Sequence, residues 1–143
     1  MYNALRHAHS GLRWVVLALL IAAILVAYQK MSKKDADQAK QPFLFNLIGV
    51  HIQTLIGLVL YFISPKVSFA EGFMTVTELR FYAVEHISMM ILAAIVITIG
   101  YSKAKRQEAP QRYKTLFIFN VIGLIIILAA IPWPFRGLGA GWF

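Results

Sequence analysis

Three histidines, His9, His51 and His86, lie in or at the edge of segments apolar enough to cross a membrane, and His7 stands just outside the first of them. An ionisable side chain in hydrocarbon is costly unless a partner satisfies it, so each asks for a specific role. Imidazole is largely neutral near pH 7 and is a common axial ligand of haem iron. The chemistry these residues point to is therefore haem ligation inside a membrane bundle. The chain has no Gly-rich phosphate loop, no His-Glu-x-x-His pattern and no Ser/His/Asp arrangement, which leaves a hydrolase or nucleotide enzyme without support.

The segments that must position the histidines dominate the composition. Of 143 residues, 59% are hydrophobic, and the mean hydropathy is +0.68. Four apolar runs, 14–27, 43–63, 81–101 and 116–133, account for this. A membrane-spanning helix needs about 20 residues, so the first run is long enough only if its helix begins near His9. The run closes on Tyr28, Gln29 and Lys30, where a signal peptide would show a small-residue cleavage site, so it reads as a span. The expectation is one all-α transmembrane domain over 1–143, with helices at about 9–28, 43–63, 80–101 and 115–132. Short connections make it an integral membrane four-helix bundle of up-down-up-down topology. There is no cysteine, which excludes disulfides, thiolate or iron–sulfur ligation and covalent haem attachment. Any haem b here is bound non-covalently.

The formal charge of +8 is unevenly placed. Lys30, Lys33, Lys34 and Lys40 fill the first connection, and Lys103, Lys105, Arg106, Arg112 and Lys114 the third. Only Arg6, Arg13, Lys66, Arg80 and Arg136 fall on the other side, nine cations against five. This positive-inside bias predicts a multi-pass protein of the bacterial inner (cytoplasmic) membrane with both termini on the outer side. It makes membrane lipid, and not nucleic acid, the partner of the basic connections. Trp133, Phe135 and Trp142, set among prolines and glycines, suit an anchor at the outer interface.

An internal echo is present. Phe43-Leu-Phe-Asn-Leu-Ile-Gly49 matches Phe117-Ile-Phe-Asn-Val-Ile-Gly123, aligning Asn46 with Asn120, and a similar offset sets His9 near His86. The pattern hints at a duplicated helical hairpin, in which His51 corresponds to Ile125.

Depth separates the histidines. His9 sits at the surface end of the first helix, His86 one to two turns inside the third, and His51 near the middle of the second. His9 and His86 are thus closest in level and, in an up-down bundle, can face each other diagonally. Arg13, one turn from His9 on the same face, and Arg80, flanking the third helix, are expected partners for the propionates. Met89, Met90 and Ala93 share the His86 side and supply an apolar wall, with Met89 a further ligand option and otherwise filler. His51 is the alternative ligand, or a hydrogen-bonded core histidine. Glu85 is expected to accept a proton during quinol oxidation, to orient a histidine, or to form a plain ion pair with Arg80 or Arg13.

The opening Met1-Tyr-Asn-Ala-Leu-Arg-His-Ala-His-Ser-Gly-Leu-Arg-Trp14 resembles that of small four-helix membrane proteins of Bacteroidetes-type bacteria labelled "cytochrome b". So do Glu85-His86 with the following Met89-Met-Ile-Leu-Ala93 run, and the ending Ile131-Pro-Trp-Pro134. The resemblance covers most of the chain and implies one b-type haem with His9 and His86 as ligands. No helix carries the two histidines that the larger di-haem cytochrome b pattern requires. A looser similarity links the chain to the four-helix, haem-containing protoporphyrinogen oxidases of bacteria. Three functions follow as expectations: an electron carrier between quinol and an outer-side acceptor, a haem-dependent membrane oxidase of quinol or porphyrinogen, and a haem-free accessory or assembly subunit whose partners are the other subunits of a respiratory or other membrane complex.

Overall fold

The structure, a computed structural model, describes residues 1–33 and 39–142. Lys34, one of the cations counted in the first connection, lies outside them. Four long helices carry the chain. We number them α1 (Tyr2–Lys30), α2 (Gln41–Ile63), α3 (Thr77–Ala104) and α4 (Gln111–Ala130). Each is long and apolar enough to cross a membrane, and no strand occurs among the described residues.

α1 begins seven residues before the start expected at His9 and twelve before the apolar run. Ala4, Leu5, Arg6 and Ala8 are good helix formers, so the helix continues where the apolar run does not. Pro42 falls in the first turn of α2, where its missing N–H leaves no bond unmade. Extended residues before prolines close α2 at Ser64 and α4 at Ile131. Beyond α4, residues Pro134–Arg136 make one 3-10 turn and the tail folds back over the bundle.

Within α3, Phe81–Glu85 is a π turn, in which the His86 N–H bonds the Phe81 carbonyl. In a regular helix, residues five apart point about 140° away from each other. The π turn stacks them. Arg80 meets Glu85 at 2.7 Å, and the rings of Phe81 and His86 lie 5.7 Å apart.

The helices form a bundle in which α1 and α2, α2 and α3, α3 and α4, and α4 and α1 are neighbours, so α1–α3 and α2–α4 are its diagonals. One core cluster joins Val16, Leu17, Leu20, Val50, Ala93, Ile97 and Ile127; a second joins Ala23, Ala27, Phe43, Ala104, Tyr113 and Leu116. Gly123 lets α3 and α4 close tightly, since a Cβ there would meet Ile97 Cγ1 at 2.6 Å. The outward faces are apolar along every helix, as at Val15, Ile21, Leu25, Phe45, Leu55, Ile95, Ile99, Ile118 and Ile125. Hydrocarbon solvates such a surface, whereas water does not.

Candidate functional site

α1 and α3 bring His9 and His86 together on one diagonal. Their ring centroids are 6.4 Å apart. Counted from Tyr2 and Thr77, the two lie seven and nine residues into their helices, about 10 and 14 Å along the axes. The earlier start of α1 is what carries His9 inward to the level of His86.

His86 is held through its ring and His9 through its backbone. His86 Nδ1 lies 2.8 Å from the Ala130 carbonyl. A carbonyl only accepts, so Nδ1 carries the proton and Nε2 of the neutral ring keeps its lone pair. Histidines that ligate metals are commonly fixed in this way, through a backbone carbonyl at the other nitrogen. Gln53 Nε2 donates to the carbonyl of His9 at 2.8 Å. Gly57 makes room for the ring, since a Cβ at 57 would stand 3.0 Å from His9 Cε1.

Both histidines line a cavity of about 320 Å³. From Tyr2 to Val16 its wall follows α1 for about 21 Å. Val16, Val50, Met90, Ala93 and Ile127 form the inner part. Arg6, Lys66, Tyr2 and Tyr82 line its other end, with Gly139, Ala140 and Gly141 of the tail, and Arg13 lines it one turn further along α1 than His9. The lining includes three cations and no carboxylate. Lys66 is already paired with Glu78 at 3.0 Å. Arg6 and Arg13 have no carboxylate partner among the described residues; Arg13 Nη2 donates to the Trp142 carbonyl at 2.6 Å, which also accepts from Trp14 Nε1 at 3.2 Å. Three buried polar atoms on this wall have no hydrogen-bond partner: His9 Nδ1, Arg13 Nε and Gln53 Oε1.

Of the remaining residues singled out by sequence, some line the cavity and some do not. Arg80 does not line the cavity; it binds Glu85 and, through Nη1, the Met74 carbonyl. Glu85 is likewise off the cavity, taken up in the ion pair that the π turn creates. Met90 and Ala93 line the wall, whereas Met89 does not. His51 points away from the cavity on an exposed face and bonds Thr98 Oγ1 at 2.9 Å. Arg6 is one of the cavity residues that sequence reading missed, with Tyr2, Lys66 and Tyr82. The only signal for Arg6 was the helical spacing Arg6, His9, Arg13, three and four residues apart on one face.

Trp133 and Trp142 do cluster, with Trp14 between α1 and the tail: Trp14 lies 6.1 Å from Trp133 and 6.4 Å from Trp142. On the other diagonal, the echoed asparagines meet. Asn46 Nδ2 donates to Asn120 Oδ1 at 2.8 Å, in a fully buried pair. Comparison with protein-family models, with curated proteins and with solved structures finds no match.

Proposed function

We propose that this chain is an inner-membrane protein of up-down-up-down topology that holds one non-covalent haem b between His9 and His86 and carries electrons. Both termini and the cavity mouth are placed on the outer side. Quinol is the proposed donor and an outer-side protein the acceptor. The observation that carries the reading is the His9–His86 pair. With their ring centroids 6.4 Å apart across the cavity, His9 and His86 are the residues that would hold the haem iron.

The surroundings fit the group. Among the described residues no three His, Asp or Glu side chains converge to hold a bare ion. Two histidines are enough protein ligands for an iron whose other ligands belong to a porphyrin. Haem also brings two carboxylates, and Arg6 and Arg13 are two cations of the cavity wall without a carboxylate partner among the described residues, with Arg13 Nε free to donate. The apolar inner wall excludes water from the macrocycle. When bound, haem supplies a one-electron couple. The chain's own residues do the rest: Ala130 fixes the His86 tautomer, Gln53 and Gly57 hold His9, and the arginines offset the propionates. Neighbouring His9 with Gly57, and Val16 and Leu19 with Gly49, supports opposite directions for α1 and α2.

The test is an absorption spectrum of protein purified from haem-replete cells, with and without dithionite. The reading expects a low-spin reduced spectrum and a pyridine haemochrome value of one haem or fewer per chain, all extractable by acid acetone. Two haems per chain would overturn it. No haem at all would transfer the protein to the accessory-subunit reading, and turnover of quinol or porphyrinogen by the haem-loaded protein would make it an oxidase.

A further inference from the structure

A second cavity, of about 340 Å³, lies at the opposite end of the bundle from the histidines. Lys40, ahead of α2, Lys105, just past α3, and Arg112, in the first turn of α4, line it, and among the described residues no carboxylate does. Its floor is apolar: Phe43, Ala104 and Leu116 are all buried. Arg112 is held in place, because its Nε donates to the Ala104 and Gln107 carbonyls at 3.3 and 2.9 Å. Lys105 lies over the Tyr101 ring at 5.8 Å. Lys40, Lys105 and Arg112 have no ion-pair partner among the described residues.

From the cavity, α2 and α3 run on as neighbours along the bundle. Lys40, Leu44 and His51 follow one face of α2 at helical spacing, and Thr98, Tyr101 and Lys105 follow one face of α3. The His51–Thr98 hydrogen bond ties the two faces together deeper in the bundle. Leu44, Ile48, Ile95 and Ile99 beside it are exposed and apolar. A cationic recess at the ends of the helices, next to an apolar groove that runs down the bundle, matches an amphiphile with an anionic head and a hydrocarbon tail. We propose that this recess binds the head group of one anionic phospholipid, its phosphate among Lys40, Lys105 and Arg112 and an acyl chain in the α2–α3 groove. Site and ligand are separate from the histidine cavity and do not depend on haem.

The experiment is native mass spectrometry of the full chain released from nanodiscs of equal parts phosphatidylglycerol and phosphatidylcholine. Wild type is expected to retain one phosphatidylglycerol in preference to phosphatidylcholine. Lys40→Gln with Lys105→Gln should weaken that retention about tenfold or more, as two cations at a membrane surface imply. Lys33→Gln with Lys103→Gln, at the same end but outside the recess, should leave it unchanged. Equal retention of the two lipids by wild type, or equal loss from both double variants, would mean diffuse surface charge and overturn the site. A control on wild type alone needs no variant. Inorganic phosphate or glycerol phosphate at millimolar concentration should not displace the lipid; displacement would assign the recess to a free anion and overturn the lipid reading.

Discussion

Asn46 and Asn120 occupy matching places in the two echoed segments and are bonded to each other, Nδ2 to Oδ1, across the α2–α4 diagonal. The bond is asymmetric. Asn120 Nδ2 also donates to the Leu116 carbonyl in its own helix, while Asn46 Oδ1 has no partner. Removing Asn120 therefore strips Asn46 of all its side-chain bonds, whereas removing Asn46 leaves Asn120 one. Asn120→Leu should cost about 1–2 kcal/mol, and Asn46→Leu less, since an orphaned buried amide is the costly outcome. Unfolding in mixed micelles would measure both, and a double-variant cycle should give a coupling of about 0.6 kcal/mol. A larger loss from Asn46→Leu would contradict the asymmetry.

The histidine variants separate the ligand pairings. His86→Ala should abolish haem retention. His9→Ala should abolish it or leave an unstable high-spin form. His51→Ala should keep a low-spin spectrum, because His51 faces away from the cavity and bonds Thr98. Reduced Soret and α bands of each purified variant make the comparison. Loss of haem from His51→Ala together with a normal spectrum from His9→Ala would replace the His9–His86 pair by His51–His86.

Gly57 offers a test that leaves both rings in place. Gly57→Ala puts a methyl 3.0 Å from His9 Cε1, so the ring must shift, a crowding that costs about 1–3 kcal/mol in a packed interior. Haem occupancy should fall and the α band should broaden or move. Gly11→Ala, where a Cβ meets nothing within 4 Å, is the matched control and should change neither.

The Arg80–Glu85 pair is more than a third exposed at each partner. Such pairs contribute about 0.2–1 kcal/mol. Glu85→Gln should therefore lower stability by less than about 1 kcal/mol and leave the haem spectrum and quinol oxidation rate intact. A large fall in that rate at unchanged haem content would return Glu85 to the role of proton acceptor.

Topology can be read in intact cells. With the two basic connections on the cytoplasmic side, Ser32→Cys and Ser102→Cys should resist an impermeant thiol reagent, while Ser68→Cys should react. Labelling in the reverse order would invert the bundle and move the cavity mouth inward.

The sequence by itself determined the helical class and the number of helices long and apolar enough to span, because runs of about 20 apolar residues are best satisfied as helices. It also singled out His9 and His86 as nearest in depth, and it aligned Asn46 with Asn120, since both follow from linear position. What it could not contain is the lateral packing that decides facing. Hydropathy marks how apolar a segment is and not where its helix starts, so the first turns of α1, with Arg6, went unread. An ion pair of Glu85 with Arg80 was among the readings the sequence offered, but the π turn at Phe81–Glu85 that changes the angular phase of α3 and makes it is not written in the 3.6-residue repeat. His51 and Met89 were indistinguishable from wall residues until neighbouring helices fixed which face turned inward. The fixing of His86 by the Ala130 carbonyl, 44 residues away, depends on the approach of α4 to α3 and is therefore a property of the tertiary structure alone.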